Sequence, residues 1–157
     1  MSLLKVSEIT DLTGAGSTYM PGHVVQAVTF STQNVFNTSV TNTWVNTNLS
    51  ATITPKSASS KIFIFCSASL VANVANGAVW QTIFRNSTNL GGSSNGLSSV
   101  YIDELRVLVV PGMIHFVDSP NTTSAVTYNH AIRVGQTGGG SGDGVQGRTI
   151  TLMEIAQ

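Results

Sequence analysis

Residues Ser59 to Arg85 read SSKIFIFCSASLVANVANGAVWQTIFR, the densest apolar run in the chain. From Lys61 to Val71 the side chains divide by period two: Ile62, Ile64, Cys66, Ala68 and Leu70 on one face, Phe63, Phe65, Ser67, Ser69 and Val71 on the other. That periodicity is a strand's, and because its first half is apolar on both faces the strand belongs in the middle of a sheet, not at a solvated edge. AsnValAlaAsnGly, ending at Gly77, supplies small residues and residues that tolerate positive φ. Alternation resumes at Val79–Arg85, with Trp80, Thr82 and Phe84 opposite Val79, Gln81 and Ile83. The stretch predicts a central hairpin.

Working outward, the same grammar repeats. His23–Phe30 alternates as a first strand, and the polar connection Ser31–Asn48, carrying Phe36, Val40, Trp44 and Val45, predicts a short edge strand. Leu49, Ala51 and Ile53 alternate up to the turn at Pro55. Asn86–Ser99 reads as a loop, Tyr101–Val110 as a strand broken by Pro111 and Gly112, and Met113–Val117 as its completion or the start of the next. Ser124–Val134 places Val126, Tyr128, His130, Ile132 and Val134 on one face; Gly135–Gly147 is a glycine loop and Arg148–Ala156 a closing strand. About eight strands with turn signals between them predict an all-β fold, an antiparallel β-sandwich of the jelly-roll kind, with an up-and-down barrel as the alternative.

At 157 residues the chain fits one domain, residues 21–157, preceded by residues 1–20 as an N-terminal arm or stem. Leu3, Leu4, Val6, Ile9 and Leu12 form the arm's apolar series, which could be ordered only by docking on something. Seven basic residues balance seven acidic ones, and charged residues are 9% of the chain, far below the quarter usual for soluble domains. The basic residues are scattered singly, which argues against nucleic acid. No stretch approaches membrane-spanning length and the N-terminus lacks a signal-peptide core, so neither membrane insertion nor export is expected. Polarity comes from Ser, Thr and Asn, about a third of the chain. Such a balance suits a virion or extracellular β protein that packs against copies of itself.

Little here suggests catalysis. His23, His115 and His130 are the bases that titrate near neutrality, and no nucleophile elbow or paired acidic motif accompanies them; Asp103 and Glu104 are adjacent and point to opposite faces of a strand. Lone Cys66 reads as a buried core thiol. No His or Cys pair has metal-ligand spacing, and Gly139–Asp143 falls one residue short of a calcium-binding repeat, so no metal or cofactor is expected. Surface chemistry remains: Trp44, Asn76, Asn95 and Tyr101 lie in or beside loops, where aromatics and amides can meet a glycan or protein.

Several segments resemble small β-rich virion and fibre-tip proteins of tailed bacteriophages, marine and cyanobacterial ones in particular. They are LeuLysValSerGluIle near the start, Thr52–Ile62, Ile83–Gly91, Asp118–Tyr128 and Thr149–Ile155. The resemblance implies a jelly-roll or tumour-necrosis-factor-like knob, assembled as a homotrimer, located in the virion and put together in the host cytoplasm. Phe63, Phe65, Trp80 and Phe84 would then pack about the threefold axis. It implies a tail-fibre tip that binds the host surface. The alternative is a capsid decoration or head-fibre protein gripped by its arm. Its partners would be itself and other virion proteins: tail fibre, baseplate or major capsid protein.

Overall fold

The computed structural model describes residues 21–72, 76–92, 94–104, 107–135 and 147–157; the expected arm and most of the glycine loop lie outside them. Nine strands are formed among the described residues: β1 (Val24–Thr32), β2 (Val45–Ile53), β3 (Lys61–Ala72), β4 (Gly77–Arg85), β5 (Thr88–Asn89), β6 (Ser98–Ile102), β7 (Leu108–Asp118), β8 (Val126–Val134) and β9 (Arg148–Ile155). One sheet has the order β1-β9-β3-β7. The other runs β2-β8-β4, with β5 and β6 both paired to the far edge of β4. Every ladder between strands is antiparallel. Apart from the β4-to-β6 stretch, each connection crosses from one sheet to the other, the path of two interlocked Greek keys. This is a jelly roll; an up-and-down barrel would place consecutive strands side by side.

The strand that decides the fold is central, as its double apolar face requires. β9 lies on one edge of β3, with Phe63 opposite Met153, and β7 on the other, with Phe63 opposite Val117. With both edges taken, β3 has no room for β4, so the expected hairpin is instead an arch that carries the chain into the second sheet. Turn chemistry around Asn76, whose φ is 54°, reports a reversal but not which ladder the chain joins next.

Two other expectations are corrected. No separate edge strand forms between β1 and β2; β2, itself a sheet edge, begins at Val45 inside the expected stretch, and the rest of it carries only isolated bridge residues, Thr38 and Thr41, the latter parallel to Val134. The break expected at Pro111 and Gly112 falls earlier: β6 ends at Ile102 and β7 runs straight through both residues. β7 is a sheet edge with β3 as its partner, so proline's missing N–H costs no ladder hydrogen bond on the outer side. Gly112 faces inward opposite Ala68, where a Cβ would lie 2.3 Å from the Ala68 carbonyl oxygen and 2.8 Å from Gln81 Nε2.

Between the sheets the core forms two apolar clusters. One holds Leu49, Ile53, Ile62, Ile64, Cys66, Ile83, Tyr128, Ile150 and Leu152, the other Leu70, Val79, Ile102, Ile132 and Val134. Along β4 and β8 the residues between the clusters are Gln81 and His130, and Thr47 and Arg148 join them from β2 and β9. All four are buried. His130 hydrogen-bonds through Nδ1 to Thr47 Oγ1 (2.9 Å) and through Nε2 to Gln81 Oε1 (3.1 Å). Arg148 donates to the carbonyls of Asn34 and Thr47. Burial and then the nearby Arg148 charge push the His130 pKa down to about 3, so the imidazole is neutral; it ties β2 and β4 to β8 within one sheet, and Arg148, reaching from β9 to the Thr47 carbonyl, is a link between the sheets. At one end of the sandwich, Asp118 accepts hydrogen bonds from Tyr128 (2.7 Å) and Arg85 (2.8 Å). Beside them buried Glu154 accepts from Gln26 Nε2 and the Lys56 N–H, pinning the β2–β3 turn. Burial raises the Glu154 pKa, but hydrogen bonds from Gln26, Ser60 and two backbone N–H groups outweigh it and hold the carboxyl below its usual range.

Candidate functional site

Each sheet turns one set of side chains outward. On the β1-β9-β3-β7 sheet the ladders set Met153, Phe63 and Val117 in one row, Thr151, Phe65 and His115 in the next, and Thr149, Ser67 and Met113 in a third. The Phe63 and Phe65 rings lie 4.7 Å apart, and Phe65 meets His115 edge-on at 5.0 Å. Met113 is 58% exposed and Val117 45%. The result is an outer surface with one apolar row beside two in which Phe65 and Met113 stand among hydroxyl side chains, with Cys66 buried beneath it.

The opposite surface is built differently. Across β2, β8 and β4 the register aligns Asn46 with Ala131 and Thr82, and Ser50 with Asn129 and Phe84. Ala131 is the small residue in the middle strand. Around it Trp44, Asn46, Phe84, Asn86 and Asn129 enclose a groove of about 170 Å³, with the Trp44 and Phe84 rings 6.4 Å apart and 70° to one another. The segment after β4 straps this face: Leu90 and Leu97 donate to the carbonyls of Ile83 and Gln81, and Asn89 Oδ1 accepts from the Thr82 hydroxyl. Gly96, at φ 62°, sits where a Cβ would fall 2.7 Å from the tip of the Trp44 ring. Arg133 donates to the Ser94 carbonyl and lies 4.9 Å above the Trp80 ring, a cation–π contact.

The residues expected about one threefold axis are therefore split. Phe63 and Phe65 face out from the first sheet, whereas Trp80 and Phe84 face out from the second, on the far side of the sandwich. None of the four is in the core. Of the loop residues, Trp44 walls the groove, Tyr101 donates to Asn76 Oδ1 (3.2 Å) away from it, and Asn95 is exposed in the strap next to Gly96. The two long loops expected from the sequence, Asn86–Ser99 and Gly135–Gly147, begin at opposite ends of the β4–β8 ladder, since Arg85 pairs with Tyr128 and Val79 with Val134. Sequence reasoning missed Asn46, Asn86 and Asn129 as lining residues. The local signal was there in part: Asn46 and Asn129 occupy the outward phase of strands whose inward phase is apolar.

The histidines are apart: His23 precedes β1, His115 faces out from β7, and His130 is fully buried. Among the described residues no three His, Cys, Asp or Glu side chains are grouped so as to hold a metal ion.

No family model matches the sequence, and no curated protein matches it. Among solved structures the chain is similar to one titled the structure of infectious bursal disease virus Gx strain, at 12% identity and a TM-score of 0.42. The match covers 85% of this chain and 39% of that one, so this chain spans about two-fifths of its length. A likeness this distant carries no argument about function, and the jelly roll rests on strand order alone.

Proposed function

We propose that the chain is a self-associating structural knob of a virus particle, the homotrimeric tip of a phage tail fibre that meets the host surface. The outward face of the β1-β9-β3-β7 sheet carries this reading. Met153, Phe63 and Val117 form one apolar row there, Phe65 and Met113 extend it among Thr151, Thr149 and Ser67, and Lys61 and His115 are the ionisable groups, a surface whose apolar row gains by burial against a second copy. A zero formal charge removes long-range repulsion between copies, and the resemblance of the sequence to phage virion proteins supplies the setting.

The alternative, a capsid decoration or head-fibre protein, draws on how the chain enters the fold. The Gly22 N–H donates to the Ala156 carbonyl at the end of the sandwich where β9 finishes, so residues 1–20 are joined to the sandwich at that end. Light scattering with native mass spectrometry tests the shared part. A trimer at micromolar concentration is the expected result, and a monomer under the same conditions rejects the knob. Quantitative mass spectrometry of particles then separates the readings, because a decoration protein follows the number of capsid lattice sites and a fibre tip is a few per cent of it.

A further inference from the structure

We propose that the groove between Trp44 and Phe84 is a binding site for a neutral sugar, admitting one ring. It rests on the host-contact reading for its biological setting, while its chemistry stands on the groove itself. A pyranose has a face of C–H groups and a rim of hydroxyls, so it fits a site that offers an aromatic wall and groups able both to donate and to accept. Trp44 and Phe84 supply the wall, and small Ala131 leaves the depth between them.

The amides are fixed in position and still have capacity. Asn86, at φ 50°, donates its backbone N–H to the Thr127 carbonyl (2.8 Å) and accepts the Thr127 N–H on Oδ1 (3.1 Å), so its NH₂ group is left to donate to a ligand. Asn46 accepts the Asn48 N–H on Oδ1 (2.8 Å), which likewise leaves its NH₂. Asn129, half-buried at the groove's edge, makes no side-chain hydrogen bond among the described residues and can both donate and accept. No lining residue is charged. An acidic sugar or a phosphate would find no counter-charge, and Arg133 is engaged by the Ser94 carbonyl, Asn42 Oδ1 and the Trp80 ring. An apolar peptide anchor would leave the half-buried Asn129 amide without a partner and the NH₂ groups of Asn46 and Asn86 unused. At about 170 Å³ the groove is below the ~300 Å³ of clefts that take drug-sized ligands, which matches a single terminal ring.

The test uses the full chain and methyl glycosides of glucose, galactose, mannose and N-acetylglucosamine, with glucose 6-phosphate and sialic acid as charged controls. Binding is read by saturation-transfer NMR and titration. At least one neutral glycoside is expected to bind with a dissociation constant of about 1 mM, the range a small, weakly enclosed ligand reaches. Trp44→Ala and Asn129→Ala should each weaken it at least tenfold, whereas Tyr101→Ala, an exposed aromatic of the same sheet outside the groove, should bind as the parent does. Asn129→Ala is at an outward strand position and keeps the test open if Trp44→Ala fails to fold. Silence from every neutral glycoside, equal binding of the charged controls, or unchanged affinity in a folded Asn129→Ala variant overturns the site. A trimer that ignores all the sugars rejects the groove alone, and a monomer that binds one rejects the trimeric knob while supporting the groove.

Discussion

The two outward faces of this sandwich obey the same alternation and end up with opposite characters. On the β1-β9-β3-β7 sheet, Phe63, Phe65, Met113 and Val117 stand out from the strands with no described loop laid over them. Across the β2-β8-β4 sheet, Trp80, Thr82 and Phe84 are met by the strap after β4, by Arg133 and by Trp44. Large side chains on the second face are thus used within the chain and contribute to its stability. Those on the first have little to pack on except each other and are available to another molecule. An outward aromatic is uninformative by itself; what lies over it decides its role.

The largest expected effect lies beneath both faces. His130 is held neutral in the fold, with its pKa lowered to about 3, whereas unfolded it takes a proton near pH 6.5. The unfolded state therefore binds more protons below pH 6.5, so stability is full above that value and falls as the pH drops toward 3. The loss is on the order of 4 kcal/mol. Glu154, whose pKa is also lowered, adds to the loss below its unfolded value of 4.5. Urea midpoints measured from pH 7 to pH 3.5 should decline steadily; a level profile would contradict the buried neutral imidazole.

Next in size is a contrast between the faces. Gly96→Val asks a β-branched residue to adopt φ 62° and drives its Cβ to 2.4 Å from the Gln81 carbonyl oxygen and onto the Trp44 ring, a loss of about 2–3 kcal/mol. Ser67→Val, at an exposed outward position on the other sheet, should stay within about 0.5 kcal/mol. Equal losses in the two variants, read as thermal midpoints, would erase the distinction drawn here.

Smaller again is Trp80→Ser, which removes the cation–π partner of Arg133 and the ring packed against Gly135. Chemical denaturation should show a loss of about 1–2 kcal/mol with the oligomeric state unchanged. Phe63→Ser should cost the folded chain less than Trp80→Ser does, within about 1 kcal/mol, yet dissociate the oligomer in light scattering. Should Trp80→Ser dissociate it and Phe63→Ser not, the assignment of the two faces would have to be exchanged.

Much of the fold was legible. Ile62, Ile64, Cys66, Ala68 and Leu70 are the inward face of β3, and the set from Val126 to Val134 is the inward face of β8, because period two sorts the side chains of any one strand. Pro111 misled because proline breaks a central strand but is admitted at an edge, and edge status belongs to the sheet. The groove was legible only through Trp44. Asn46, Phe84 and Asn129 are drawn together by β8 lying between β2 and β4, and nothing local marks an asparagine as the neighbour of a phenylalanine forty-five residues away in sequence. The buried belt was equally hidden: Arg148 reads as the first residue of a closing strand, and only its place opposite Thr32 at the inner side of β9 makes it a core residue.

By itself the sequence determined the class of structure, the strands, most of their boundaries and, within each strand, which residues share a side. Those are consequences of backbone geometry and side-chain chemistry over a few residues. Tertiary structure alone decided which sheet each strand joins, which side of an apolar strand looks inward, and so which aromatics are left outside with company and which without. Such choices are set by ladders between residues far apart in the chain, where the free energy of closing a long loop is met by pairing and burial that no local pattern records.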